Sequence, residues 1–369
     1  MRVCVIGAGP CGLYLASQVR GHEVVVHEEH SVVGLPRHCT SLVSIRGLQE
    51  LGLYRKELVL NRFRYIEVIG PGAYPRYRLD FRHYVACVVD RPGLERYLLQ
   101  EVLNRGHVVK LRSRVVAVDP HGVVYTQDRA RGVYYDVVVV AEGGYATLAK
   151  QLGLYDNTLT KLWGIQVDVL LEHSVDSSTF TVIFDRVLSK KFFAWIVPIS
   201  DRCVRVGLGD CRVSTDKLCT LCRYVEKVLD LRIKRWCSEV FGGVITLGPP
   251  LSLVKSRGCC IVVGDALGFT KPLTGGGVVL GLTYCRWVAN YLNSTEVFDP
   301  KVMRKYLYSK LANMHLKMSF LKHFTRLFHS VGNGVLRSTL QLVRLLIEDL
   351  EGVDFDDHTT LLLKLLHLR

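Results

Sequence analysis

Two glycine clusters stand far apart in this chain, and each has the spacing that a bound anion or flat ring needs. Near the N-terminus Gly7, Gly9 and Gly12 form G-x-G-x-x-G between an apolar run, Val3 to Ile6, and an apolar helical pattern, Leu13 to Val19. Gly21 ends that pattern, and Val24 to Val26 form a second apolar run that finishes at Glu28. In this order Gly7 makes a tight turn, Gly9 admits a pyrophosphate, Gly12 lets helix and strand pack, and Glu28 accepts hydrogen bonds from ribose hydroxyls. The glycines alone are weak evidence. The strand, helix and strand around them predict dinucleotide binding.

The second cluster lies at the end of the apolar run Cys260 to Val263, where Gly264-Asp265 is followed by Gly275, Gly276 and Gly277 opening another apolar helical pattern. Three glycines let a backbone approach something flat or anionic, and the N–H groups of the following helix carry partial positive charge toward it. Asp265 is placed to accept from sugar-like hydroxyls. A plain Gly-rich turn is the alternative. A nicotinamide enzyme has no obvious task for a second ligand motif so far downstream, whereas FAD is long enough to need contacts at both ends, so the pair reads as FAD. Arg91, in Asp90-Arg91-Pro92-Gly93-Leu94 at the start of a helical pattern, stands either near that cofactor or in a surface salt bridge. Asp136 to Glu142 reads as a central parallel strand whose carboxyl end faces the ligand.

Elements that could position these residues fit within 369 residues, enough for two domains. Mean hydropathy is +0.19, yet no run approaches the ~18 apolar residues of a membrane span. The first residues run straight into a strand, which predicts no signal peptide and a cytoplasmic protein. Twelve cysteines lack the spacing of a disulfide framework or zinc site, and Cys219-x-x-Cys222 reads as helix packing; no metal is expected. A net charge of +14 favours an anionic partner. Nucleic-acid binding would rest on that charge alone and is not expected.

Further motifs bring a resemblance. Pro36-Arg37-His38-Cys39 follows the second strand, and Phe193-Ala194-Trp195-Ile196-Val197-Pro198 precedes Gly207-Leu208-Gly209. With GDALGFTKPLTGGG, these make the chain resemble the geranylgeranyl reductase family of FAD-dependent flavoproteins, within the wider para-hydroxybenzoate hydroxylase-like group, over most of residues 1 to 290. That family carries P-x-x-C, and Y-x-W-x-F-P followed by G-x-G. The resemblance implies reduction of isoprenoid C=C bonds in geranylgeranyl chains of archaeal-type membrane lipid precursors. It also implies a prenylated lipid substrate and an external electron donor, NAD(P)H or a ferredoxin-like protein. It casts Cys39 as the catalytic residue and Phe193, Trp195, Pro198, Gly207 and Gly209 as substrate-binding residues. Three departures bear on the substrate: Thr40 and Ser41 stand where the family has small residues, Phe193 replaces tyrosine, and Val197 replaces a bulky aromatic.

Alkene reduction needs a hydride, a proton and a pocket that excludes water. Alternation along Phe192 to Ile199 would turn part of its side chains toward the flavin; an ordinary sheet core is the other reading. Without the resemblance, Cys39 reads as an inert thiol. His38 is a second proton-donor candidate.

The expected fold class is α/β, a Rossmann-like FAD-binding domain with an interleaved antiparallel-sheet substrate domain and a helical C-terminal region. Residues 1–60, 85–160 and 247–298 form the first, 61–84 and 161–246 the second, and 299–369 the third. Strands such as Tyr65 to Ile69 and Trp163 to Leu170 would roof the flavin ring. From Asp299 the helical pattern carries Leu307, Leu311, Met314, Met318, Leu321 and Leu327, with no acidic residue between Lys301 and Ile347. That segment is either a surface for anionic lipid, giving peripheral membrane contact, or a helical cap with a solvated basic face. Two other functions compete: an FAD-dependent monooxygenase acting on an aromatic or polyene substrate, and a non-enzymatic prenyl-binding flavoprotein fold. Oxygen-dependent product would mark the first, and a colourless protein the second.

Overall fold

The computed structural model describes residues 1–128, 131–346 and 350–356. The chain enters on β1 (Arg2–Ile6), crosses through α1 (Pro10–Gln18) and returns as β2 (Glu23–His27). β3 (Leu42–Ser44), α2 (Ile45–Glu50), β4 (Val59–Phe63), β5 (Tyr65–Ile69), β6 (Arg76–Asp80) and β7 (Ala86–Val89) follow. After α3 (Arg91–Asn104) come β8 (Val108–Lys110), β9 (Val115–Val118), β10 (Val123–Thr126), β11 (Val133–Tyr134), β12 (Val137–Val140) and α4 (Thr147–Gln151). The long β13 (Thr160–Leu171) leads to β14 (Thr179–Ile183), β15 (Ala194–Pro198), β16 (Cys203–Asp210) and α5 (Thr215–Leu229). β17 (Ile233–Trp236), β18 (Phe241–Leu247), β19 (Ser256–Arg257) and β20 (Cys260–Val262) precede α6 (Val278–Asn293), α7 (Pro300–Ser330) and α8 (Asn333–Leu346).

Contacts divide the chain into two units, residues 1–35, 91–160 and 246–322, and residues 36–90, 161–245 and from 323 onward. The first holds a six-stranded sheet in the order β19-β20-β12-β1-β2-β8, parallel except for the edge strand β19. β12 and β20 are apolar throughout, and β1 from Val3 onward, because helices and loops bury both faces of a parallel sheet. α1 packs against α6 and α3.

The second unit is built on an eight-stranded sheet in the order β17-β13-β16-β15-β14-β5-β6, with β18 also paired to β13. One face is closed by α5, whose Leu218, Leu221, Cys222 and Val225 pack on Ile165, Val167, Val204 and Val206. Ser214 caps that helix by accepting from the Lys217 N–H at 3.3 Å. Cys222 belongs to this core, and burial pushes its thiol up to about 11, whereas Cys219 is half-buried and outside it.

The division departs from the expected boundaries in three places, one being that residues from 323 onward group with the second unit and form no region of their own. Residues 36–60 and 85–90 group with the second unit, because β7 pairs antiparallel with β3 and β4. Its four buried residues look the same in sequence as a buried parallel strand. Residues 299–322 group with the first unit. Asp299 caps α7 by accepting from the N–H groups of Lys301 and Val302 at 2.7 and 3.2 Å, and Met303, Leu307, Leu311, Met318 and Leu321 are buried. Leu327 is not, at 63% exposure. Six residues beyond Leu321, at ~100° each, carry it ~120° off the buried stripe. Residues 347–349 and 357–369 of the expected helical region lie outside the described residues. Among the described residues no helix is long and apolar enough to cross a membrane.

Candidate functional site

In the first unit the N-terminal glycines do three different jobs. Gly7 has φ +100°, a backbone that L side chains rarely adopt, and a Cβ there would stand 2.6 Å from the Ala141 carbonyl oxygen. At Gly12 a Cβ would overlap the Gly7 carbonyl oxygen, so its bare backbone is what seats α1 on β1. Gly9 is the opposite case. It caps α1 with no side-chain hydrogen bond, and a Cβ on it would meet nothing within 4 Å. Open space above an uncapped helix N-terminus fits a pyrophosphate.

Glu28 is buried at the end of β2, and its carboxylate accepts from the Ala8 N–H at 2.8 Å, from the His30 N–H at 2.8 Å and from His30 Nδ1 at 2.6 Å. It therefore ties the glycine loop to β2, a second role the spacing did not reveal. Arg91 makes a salt bridge, as one of the two expectations had it, but a buried one and not one at the surface. Its Nε stands 2.8 Å from Glu95 Oε1 one turn along α3, in an ion pair almost wholly removed from solvent.

The second glycine cluster is more filled than its composition suggests. Gly264, φ +65°, and Gly281 pack against the Cys11 thiol, which a Cβ would approach to 2.9 and 2.7 Å. Gly275 is left-handed, φ +66°. A Cβ on Gly276 would meet Lys271 Cε at 2.6 Å, and one on Gly277 would meet Asp265 Oδ1 and Thr270 Cγ2, both at 2.7 Å. Two of the three glycines thus make room for neighbouring side chains. The N-terminus of α6 after Gly277 has no side-chain cap, which leaves it open to an anion.

In the second unit the face of the sheet away from α5 carries polar and aromatic groups. Trp195, Gly207 and Gln166 stand opposite one another on β15, β16 and β13. A Cβ on Gly207 would come within 2.6 Å of the Trp195 indole, and one on Gly209 within 2.6 Å of the Phe192 ring. The G-x-G motif is the floor on which two rings lie. Phe193 stacks on Phe192 with ring centroids 4.1 Å apart and meets Trp195 edge-on at 6.1 Å. Pro198 corrects the expectation: strand alternation puts it on the face opposite Trp195, and its carbonyl accepts from Asn61 Nδ2 at 2.9 Å.

The segment carrying Cys39 is fastened to that same face. Thr40 Oγ1 donates to Gln166 Oε1 at 2.8 Å. Arg205 holds Asp168 through two bonds of 2.7 and 3.0 Å and donates to the Thr40 carbonyl at 2.8 Å. Ser41, at φ +65°, turns its N–H to Cys39 Sγ at 3.3 Å. Cys39 is half-buried, whereas His38 is exposed, its Nδ1 2.9 Å from the Pro36 carbonyl oxygen. The thiol is thus held by the Ser41 N–H on a half-buried segment that is fastened to the sheet face carrying the aromatic rings.

No protein-family model matches the chain. It is 25% identical over 297 residues to digeranylgeranylglycerophospholipid reductase 1 of Methanothermobacter thermautotrophicus, covering 76% of this chain and 74% of that one. To reductase 2 of the same organism it is 27% identical over 325 residues, covering 83% and 80%. Among solved structures, a geranylgeranyl bacteriochlorophyll reductase-like protein of Thermoplasma acidophilum superposes with a TM-score of 0.80 at 17% identity, over 98% of this chain and 95% of that one. The chain is thus similar, at about a quarter identity over three quarters or more of its length, to proteins named as geranylgeranyl-chain reductases. A 2-methyl-3-hydroxypyridine-5-carboxylic acid oxygenase shares the fold more distantly, with a TM-score of 0.65 at 16% identity over 92% of each chain.

Against the geranylgeranyl reductase pattern, the departures after Cys39 acquire a structural purpose: Thr40 reaches Gln166, and the Ser41 hydroxyl donates to the Cys39 carbonyl at 3.3 Å. Sequence reasoning missed Gln166, Asp168, Arg205 and His30. Polar residues alternating with valines in β13 gave the only signal, and alternation alone assigns them to solvent.

Proposed function

We propose that this chain is an FAD-dependent reductase that saturates isoprenoid C=C bonds, in geranylgeranyl chains of archaeal-type membrane lipid precursors. The observation that carries the reading is the fastened Cys39 segment on an aromatic sheet face, Trp195 and Phe193 included, in a chain whose other unit keeps open space over Gly9. The names of its relatives support the same reading.

FAD, reloaded by NAD(P)H or a ferredoxin-like donor outside the chain, supplies the hydride when bound and reduced. Gly7, Gly9 and Gly12 would hold its pyrophosphate at the α1 N-terminus, and Glu28 its ribose. Arg91, Gly264, Asp265, Gly275, Gly276 and Gly277 would hold the remainder. The α6 N-terminus would favour negative charge on the ring. Cys39 gives its S–H proton to the second alkene carbon and recovers a proton from water, so each double bond gains one hydride and one proton. Trp195 and Phe193 exclude water from the chain being reduced.

The test is anaerobic incubation of the purified protein with dithionite and a geranylgeranylated phospholipid, weighing the lipid by mass spectrometry. Two hydrogens gained per double bond support the reading. A yellow protein that leaves the lipid unchanged but yields an oxygen-dependent product would replace it with monooxygenase chemistry. Cys39→Ala is expected to retain FAD while losing at least ~100-fold in turnover, the lower range for a positioned acid; undiminished turnover removes the thiol from the mechanism.

Peripheral membrane contact belongs to the same proposal. Leu316, Phe320 and Leu327 on α7 are 70%, 69% and 63% exposed, and Lys317 and Arg326 stand exposed among them. Such a face suits anionic lipid, each cation adding about 1 kcal/mol. The protein is expected to float with phosphatidylglycerol vesicles and not with neutral phosphatidylcholine vesicles. Equal recovery in the unbound fraction for both would overturn the contact.

A further inference from the structure

Gln166 is 2% exposed at the middle of β13, and its amide oxygen accepts from Thr40 Oγ1 at 2.8 Å and from Trp195 Nε1 at 3.2 Å. An indole nitrogen only donates, so the atom facing it must be the oxygen. Gln166 and Trp195 stand on strands separated by β16, about 9.6 Å apart at ~4.8 Å per strand spacing. Their side chains meet because the residue between them is glycine: a Cβ on Gly207 would stand 2.6 Å from both Trp195 Nε1 and Gln166 Cβ. One oxygen atom thus joins the segment bearing Cys39 to the ring that lines the sheet face. The Arg205 bond to the Thr40 carbonyl at 2.8 Å fixes the next atom of the same segment.

We propose that Gln166 is a positioning residue that couples Trp195 to the Cys39 segment, so that an apolar chain seated against the indole sets the placement of the thiol. Only its consequence for turnover rests on the reductase reading. Because the oxygen is shared, loosening either donor changes the bond available to the other. Thr40 supplies a hydroxyl that a glycine at that position could not.

The experiment uses the full chain labelled with nitrogen-15 at tryptophan, the Trp195 indole resonance being assigned with Trp195→Phe. Thr40→Val is expected to move that resonance and to speed iodoacetamide capping of Cys39, followed by peptide mass spectrometry, about fivefold, the population change that one net hydrogen bond supports. Thr40→Ser, which keeps the hydroxyl, is expected to restore both. Gln166→Leu provides a second route to the same two readings if Thr40→Val does not fold. An unmoved Trp195 resonance overturns the coupling, even if capping accelerates. In turnover, Thr40→Val is expected to lower kcat with KM held within about twofold. A wild-type protein that reduces no prenyl lipid would sink the reductase reading while leaving the resonance and capping results to decide the coupling.

Discussion

Gly9→Val is expected to give a folded, colourless protein, and Gly12→Val is expected to give little folded protein at all. The two glycines stand three residues apart in one loop, yet the space around them differs. Nothing lies within 4 Å of a Cβ on Gly9, so the apoprotein can absorb the valine, and on the proposed reading the side chain would take the space of the cofactor's pyrophosphate. A Cβ on Gly12 would overlap the Gly7 carbonyl oxygen and stand 3.2 Å from Val5 Cγ1, so the valine forces α1 off β1. Visible absorbance at the flavin band, far-ultraviolet circular dichroism and recovery on gel filtration separate the outcomes. A yellow Gly9→Val protein with full flavin content would remove the loop from cofactor binding.

Arg205→Met is expected to cost about 3–5 kcal/mol, because it leaves Asp168 charged and buried with its main partner gone. Arg205 and Asp168 face each other directly across β16 and β13, both nearly free of solvent, and the two-pronged bond leaves little to be replaced by water. Arg37, 3.4 Å from the same carboxylate, is too long and too exposed a contact to compensate. The double variant Arg205→Met, Asp168→Leu is expected to recover much of the loss, since it removes the stranded charge as well. Urea unfolding followed by the tryptophans reads both. A single variant within about 1 kcal/mol of wild type would show the pair to be incidental.

Local signals carried the geometry of the N-terminal glycine loop. Gly7, Gly9, Gly12 and Glu28 sit within one strand, helix and strand unit, where spacing and geometry are nearly the same statement. The sheet face carrying Trp195 was harder because its contacts are distant in sequence. Thr40 meets Gln166 across 126 positions, and Arg205 meets the Thr40 carbonyl across 165. No periodicity announces such a meeting, and Gln166 and Asp168 in β13 alternate with valines as solvent-facing residues would. Pro198 shows the reverse limit. Its motif placed it with Trp195, but three positions along a strand is an odd step and turns it to the other face. β7 illustrates why domain limits were off: a buried apolar tetrapeptide does not say whether its neighbours run parallel or antiparallel.

The interleaving of the two units has a consequence for how the molecule is made. In the parallel sheet Val3 pairs with Val137, and Val138 in turn pairs with Cys260, so its central strands wait for residues synthesised more than a hundred positions later. The Cys39 segment likewise emerges long before the strand bearing Arg205. Pairings between residues so far apart are slow to form and leave unpaired strand edges exposed meanwhile. Neither unit is a continuous stretch of chain, so no single cut releases one of them whole. Maturation is therefore expected to be largely post-translational, and nascent chains halted before β20 should depend most on chaperones.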